Sequence, residues 1–249
     1  MSQSKAPQLS VIVPVLHEEG RIGFLAGHVA ELARSDGVDV QLVIVDGDCA
    51  GSTLAALPDA ERAGVVGVCA GPGRAAQMNA GARVATGEVL LFLHADTRLP
   101  CGAFARIFQV LGNGLAQAGA FDFQFDAAGF PYAMLAWAGR LRSRLERCPY
   151  GDQAHFFPRA VFFGLGGYPD IPLMEDVELM WRVRRRRLPL CVLPDRVTTS
   201  ARRYAEEGPI RRVLRNFCLR TAHAFGADPA KLARQYRPHA GDEDRRMVP

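Results

Sequence analysis

Four short runs rich in Val, Ile and Leu, each followed by a segment of different periodicity, constrain this chain more than any other feature. They are residues 9–16 (LSVIVPVL), 40–45, 65–69 and 89–93. Runs of this length with little polar alternation predict strands buried on both faces, as in a parallel sheet covered by helices. Between the first two, Ile22, Leu25, Val29 and Leu32 recur at the spacing of one helix face. A short helix is expected over 52–60, and another over 74–85, entered through Gly71-Pro72-Gly73. The resulting βαβαβαβ rhythm predicts an α/β fold with a doubly wound, mostly parallel sheet and right-handed crossovers.

Beyond Pro100 the rhythm loosens. Helices are predicted over 103–111, 132–147 and 175–187, with a helical turn over 161–165. Short strands are predicted over 154–157, 190–193 and 197–201, and another where Gly119, Phe121, Phe123 and Phe125 alternate with Asp122 and Gln124. A basic helix carrying Ile210, Val213, Leu214, Phe217 and Leu219 and a short one over 230–235 close the chain. The reading divides it into a flexible N-terminus (1–8), a catalytic domain (9–205) and a basic helical extension (206–249).

Composition supports one large domain with an appendage: 249 residues, 49% hydrophobic, 22% charged, mean hydropathy zero. No run reaches the roughly 18 apolar residues of a membrane span, and the first eight residues lack a signal-peptide core, so a cytoplasmic protein is expected. The six cysteines are scattered without a CxxC pair, which argues for reduced thiols and against a zinc knuckle. From Arg182 onward the chain has 17 Lys+Arg against 7 Asp+Glu, so the basic character is C-terminal. Without an interleaved aromatic platform this does not read as a nucleic-acid binder.

The polar groups fall at what should be one edge of the sheet, the carboxyl ends of the strands, where open α/β folds bind ligands. The strand 89–93 ends in His94-Ala95-Asp96, and a carboxylate there either holds a divalent cation against a phosphate or caps the next turn. Glu18 and Asp46 offer carboxylates to a base or ribose, Arg74 a guanidinium to phosphate, and Asn79 an amide. The glycines around Arg74 form neither a Walker A loop nor a dinucleotide fingerprint. Glu175-Asp176 opens a helix after an irregular loop, a place that suits charge placement at a helix N-terminus as well as a cleft-facing base. Gly151-Asp152-Gln153 is by itself a common turn.

In order, SVIVPVLHEE, VIVDGD, GRAAQMNAGA, GEVLLFLHADT, YGDQAHFF, GLGGY and MEDVELMWRVRR resemble the family-2 glycosyltransferases of GT-A fold. The resemblance is closest to a small bacterial subgroup sharing GRAxQMNxGA and LHADT. It implies a Rossmann-like mostly parallel sheet with a C-terminal helical extension, a UDP- or GDP-sugar donor, Mn²⁺ or Mg²⁺, and transfer with inversion to an unidentified acceptor. By matched position it implies that Pro14, Glu18, Asp46, Arg74, Asn79 and Gly81 serve the nucleotide, and that Asp96, with His94 in place of the usual first aspartate, serves the metal. Asp176 would be the base and Glu175 its support. Asp152, Gln153, Gly166, Gly167 and Tyr168 would lie near the donor sugar and acceptor. Rival readings are a nucleotidyltransferase, disfavoured by acidic His17-Glu18-Glu19 where a basic loop is needed, and a nucleotide-binding scaffold that has lost catalysis. The apolar stripe of the basic helix is expected to pack on the catalytic domain or a second subunit; the alternative is peripheral contact with an anionic membrane.

Overall fold

In the computed structural model, which describes residues 8–236 apart from Ala63, the first strand β1 (Leu9–Val15) is paired on both sides in parallel, with β2 (Val40–Asp46) and with Val89–Phe92. The remaining strands are β3 (Val65–Cys69), β4 (Val89–Phe92), β5 (Thr97–Arg98), β6 (Ala118–Phe125), β7 (Phe156–Pro158) and β8 (Leu190–Thr199). They form one eight-stranded sheet in the order β3-β2-β1-β4-β7-β6-β8-β5. The β3-β2-β1-β4 half is parallel throughout, as the alternating rhythm requires. The other half is mixed: β7 runs antiparallel to β4 and β6, β8 parallel to β6, and β5 antiparallel to β8.

Several expected elements change at identifiable residues. The helix expected over 52–60 breaks into Ser52–Ala55 and Asp59–Arg62. Pro58 lies between them, and a proline is disfavoured inside a helix but acceptable at its start. The two short strands expected over 190–201 are one strand, β8, in which Leu193 faces Phe121 and Arg196 faces Asp122. Pro194, with no N–H to give the ladder, sits in that irregularity. The two-residue β5 and the helix Arg202–Glu207 were not expected. Residues 1–7 of the proposed flexible N-terminus and 237–249 of the proposed extension lie outside the described residues.

Apolar residues fill both sides of the sheet. Helices Ile22–Asp36 and Ala103–Gly112 cover one face, over Val11, Val13, Ile44 and Leu91. Helices Arg74–Val84 and Glu175–Arg185 cover the other, over Ile12, Val43, Val45 and Leu90. The approach of Arg74–Val84 to the sheet depends on Gly81: a Cβ there would lie 2.5 Å from Ile12 Cγ2 and 2.9 Å from Val45 Cγ2. Both neighbours are fully buried. Gly81→Ala gains about 1 kcal/mol of helix propensity, but overpacking a full core costs about 1–3 kcal/mol. The expected outcome is a lower urea midpoint with an unchanged slope; a midpoint at or above that of the parent would show that the helix can lift at no cost.

Candidate active site

At the carboxyl end of the parallel strands a cleft of about 740 Å³ collects residues from distant segments. The exit of β1 brings Pro14, His17 and Glu18, and the exit of β4 brings His94 and Asp96. The starts of two helices bring Arg74 and the pair Glu175-Asp176, and the turn after Tyr150 brings Asp152. Each is positioned by backbone the sequence prepares locally. Gly73 (φ 142°) turns the chain into the helix that Arg74 begins. Met174 holds a left-handed conformation (φ 69°), and His17 does the same (φ 56°). Strain of this kind at non-glycine residues collects where a loop must present side chains to a site.

The carboxylates are closely held. Asp176 Oδ2 accepts the Gly151 N–H at 2.7 Å, and Oδ1 accepts the Val177 N–H at 2.7 Å. A Cβ on Gly151 would lie 3.2 Å from His94 Nε2 and 3.5 Å from Asp176 Oδ2, so residue 151 is the point where the two halves of the site meet. Arg74 Nη1 stands 3.9 Å from Glu175 Oε1. Although burial works against its charge, Glu175, Tyr236, Asp176 and Asp96 together hold the Arg74 guanidinium above its ordinary value.

Burial, then the Asp176 charge, pushes Glu175 up to about 7 against the pull of Arg74. The same two causes raise Asp152 to about 6. Burial, then Arg74, lowers His94 to about 4, so its imidazole is neutral near pH 7. Neutral imidazole is the form that ligates a metal. The neutral His94 and, two residues on, the exposed Asp96 are side chains of the kinds that could hold a divalent cation.

The raised carboxyls have a consequence for folding. A carboxyl whose pKa is higher folded than unfolded makes the native state bind more protons, so stability falls as pH rises between the two values. For Glu175 that window runs from 4.5 to about 7, and for Asp152 from 3.8 to about 6. The ligand-free protein is expected to melt higher at pH 5 than at pH 7.5 through this contribution. Glu175→Gln should flatten the decline by roughly 1–3 kcal/mol; an unchanged slope in that variant would mean that Glu175 is ionised at both pH values.

Other expected site residues lie behind the cleft. Asp46 is fully buried, its oxygens accepting the N–H groups of Asp48 (3.0 Å), Thr53 (2.9 Å) and Leu54 (3.2 Å). It shapes the loop after β2 and presents no oxygen to a base. Asn79 donates to the Tyr168 carbonyl (2.7 Å) and accepts the Tyr168 N–H (3.0 Å), tying its helix to the Gly166-Gly167-Tyr168 loop. Gly167 (φ 67°) leaves room for that amide, since a Cβ would come within 2.7 Å of Asn79 Oδ1. Tyr168 is buried edge-on against Phe92, with its hydroxyl 3.2 Å from His155 Nδ1. Gln153 is fully buried among Ser143, Tyr150 and Phe121. Asn79, Gly81, Gln153 and the 166–168 loop therefore build the walls of the site and do not line it.

The C-terminal helices supply a wall that motif reading missed. Arg202, Tyr204, Arg212, Asn216 and Tyr236 line the cleft together with the strand-end residues. Arg212 is buried, its Nη1 2.8 Å from Glu207 Oε1 and its Nη2 donating to the Tyr236 hydroxyl. The available signal was an arginine-rich helix with no acid of its own, whose charges needed partners elsewhere.

Residues 10–165 match Glycosyl transferase family 2. The chain belongs to that family. As a family 2 glycosyltransferase it shares its fold with S. aureus TarS 1–349 (TM-score 0.62, 17% identity, 78% of this chain and 60% of that one). It is also similar to the mannosyltransferase PcManGT from Pyrobaculum calidifontis in complex with GDP-Man and Mn²⁺ (TM-score 0.61, 20% identity, 78% of this chain and 57% of that one). TarS 1–349 in complex with UDP-GlcNAc gives 0.58 at 18% identity, over 78% of this chain and 58% of that one. This glycosyltransferase thus spans less than two thirds of each of these structures. Among curated proteins no sequence matches it.

Proposed function

We propose that this glycosyltransferase moves a sugar from a UDP- or GDP-sugar to an acceptor hydroxyl with inversion, using the cleft at the strand ends. The observation that carries the reading is the convergence of Arg74, His94, Asp96, Asp152, Glu175 and Asp176 in one cleft. A guanidinium facing several carboxylates suits a diphosphate leaving group beside a proton acceptor.

Asp176 is the base. Two N–H bonds orient its carboxylate, and the residue lines the cleft. As the acceptor oxygen forms its bond to the anomeric carbon from the face opposite the leaving group, the bond from that carbon to the diphosphate breaks. The hydroxyl proton passes to Asp176. Arg74 offsets the charge that gathers on the departing diphosphate. Glu175 stands beside Arg74, and burial together with the Asp176 charge holds its own carboxyl up at about 7.

Asp96 and His94 would hold Mn²⁺ or Mg²⁺. An exposed carboxylate and a neutral imidazole two residues apart are a suitable donor set, although no cluster of three His, Cys, Asp or Glu is found among the described residues. Two protein donors suffice where substrate phosphate and water complete the shell. When bound, the cation adds positive charge at the diphosphate. PcManGT, in complex with GDP-Man and Mn²⁺, supports this choice of partner.

A thermal-shift panel of UDP-, GDP- and TDP-sugars with Mn²⁺ tests the donor reading. Stabilisation by a UDP- or GDP-sugar is expected, and failure of every nucleotide sugar to raise the melting temperature would reject it.

A further inference from the structure

Two neighbouring helices are docked with their polar sides inward. In Pro209–Ala224, Arg212 and Leu219 are buried, Arg215 bonds Glu207 and Arg220 bonds Glu146. The outward residues are Ile210 (74% exposed), Leu214 (58%) and Phe217 (57%), with Phe225 just beyond at 88%. In Phe130–Glu146, Arg140 and Arg144 reach down to Asp122 of β6, and Ser143 bonds Gln153. Its outward residues are Phe130, Met134, Trp137, Leu141 and Leu145, a helical stripe open to solvent. The Arg220–Glu146 pair ties the two helices together. Ile210, Val213, Leu214 and Phe217 are therefore not packed on the catalytic domain, the first of the two seats expected from sequence, whereas Leu219 is buried against Leu173 and Leu232. An amphipathic helix that spends its charges on the protein and leaves its apolar face outside is built to meet a second apolar phase.

We infer that these two helices form a platform that seats the enzyme on an anionic lipid bilayer. The charges choose this occupant. Helix Pro209–Ala224 contains no acid, and the one acid of Phe130–Glu146, Glu146, is held by Arg142 and Arg220. The exposed charges around them are mostly basic. Arg211 stands beside Ile210, Arg144 and Arg147 flank Leu145 in the chain, and Arg147 reaches the Leu188 carbonyl; the exposed acids Asp126 and Asp228, near the helix ends in sequence, accept the N–H groups of Ala201 and Ala230. A symmetric dimer through this face would set the same arginines against their copies, whereas anionic headgroups neutralise them and accept the apolar residues beneath. The inward side of Pro209–Ala224 lines the cleft through Arg212 and Asn216. A bilayer on its outer side would therefore lie one helix away from the acceptor, and under the transfer reading above this points to an acceptor carried on a lipid.

Trp137 provides the test. In a Trp181→Phe variant it is the one remaining tryptophan. Adding phosphatidylcholine vesicles with about 30% phosphatidylglycerol at 0.1 M NaCl should shift its emission to the blue and float the protein. Pure phosphatidylcholine should do neither, and 0.5 M NaCl should lower binding by about tenfold or more. Leu214→Asp/Phe217→Asp should abolish flotation. Nucleotide stabilisation measured without vesicles should stay as in the parent, which separates failure of the platform from failure of the donor reading. Absence of flotation and blue shift on anionic vesicles would overturn the inference. So would a dimer in sedimentation velocity that the same double substitution dissociates.

Discussion

Replacing Asp176 by Asn should lower turnover by a factor on the order of 10² to 10⁴, the usual cost of losing a general base, while leaving donor affinity within about threefold of the parent. The asparagine preserves size, and its single carbonyl oxygen can still accept the Gly151 N–H; the Val177 N–H, in the first turn of the helix, loses its side-chain acceptor. What the asparagine cannot do is take a proton. Steady-state rates and donor titration on the same preparation separate the two effects. Equal losses of affinity and rate would instead make Asp176 a structural residue at the start of its helix.

Asp96→Ala is expected to remove most of the Mn²⁺-dependent part of nucleotide binding, more than tenfold in affinity if a carboxylate ligand contributes at least 1.4 kcal/mol. The binding that persists without metal, which rests on Arg74 and the cleft walls, should change little. The position explains the asymmetry. Asp96 is exposed to the cleft beyond the end of β4, and its one hydrogen bond is a long one, 3.4 Å from Thr97 Oγ1, so its removal leaves the core intact. Titration of UDP and GDP with and without Mn²⁺ measures both quantities. An Asp96→Ala protein with undiminished metal-dependent binding would leave Asp96 as the cap of a turn.

The parallel half of the sheet was legible because β1, β4 and most of β2 are buried on both faces and say so in nearly unbroken apolar runs, and the half-exposed edge strand β3 keeps a Val-rich run of its own. The mixed half was harder to read. β5 has two residues, and β8 carries Pro194 and Asp195 through its middle, so neither presents a periodic signal. In the site, residues that line the cleft and residues that build it share the same motifs. Arg74 and Asn79 stand on one helix, five residues apart, yet the first faces the cleft and the second clamps the loop at Tyr168. Asp46 looked like a ligand contact because it is a carboxylate at a strand end; only its three backbone N–H donors reveal the buried cap. The wall formed by Tyr204, Arg212 and Asn216 left only the indirect signal of an arginine-rich helix without acids, since it arises from where the last helices dock.

The most direct test of the transfer mechanism is a proton NMR time course of the donor sugar that stabilises the protein, incubated with Mn²⁺ and the enzyme. With water or an added alcohol as acceptor, the account expects slow cleavage of the bond between the anomeric carbon and the diphosphate. The first product to appear should have the anomeric configuration opposite to that of the donor, and the signal should be absent with Asp176→Asn. A first product of retained configuration would contradict it, as would a donor that binds in the cleft and is never cleaved.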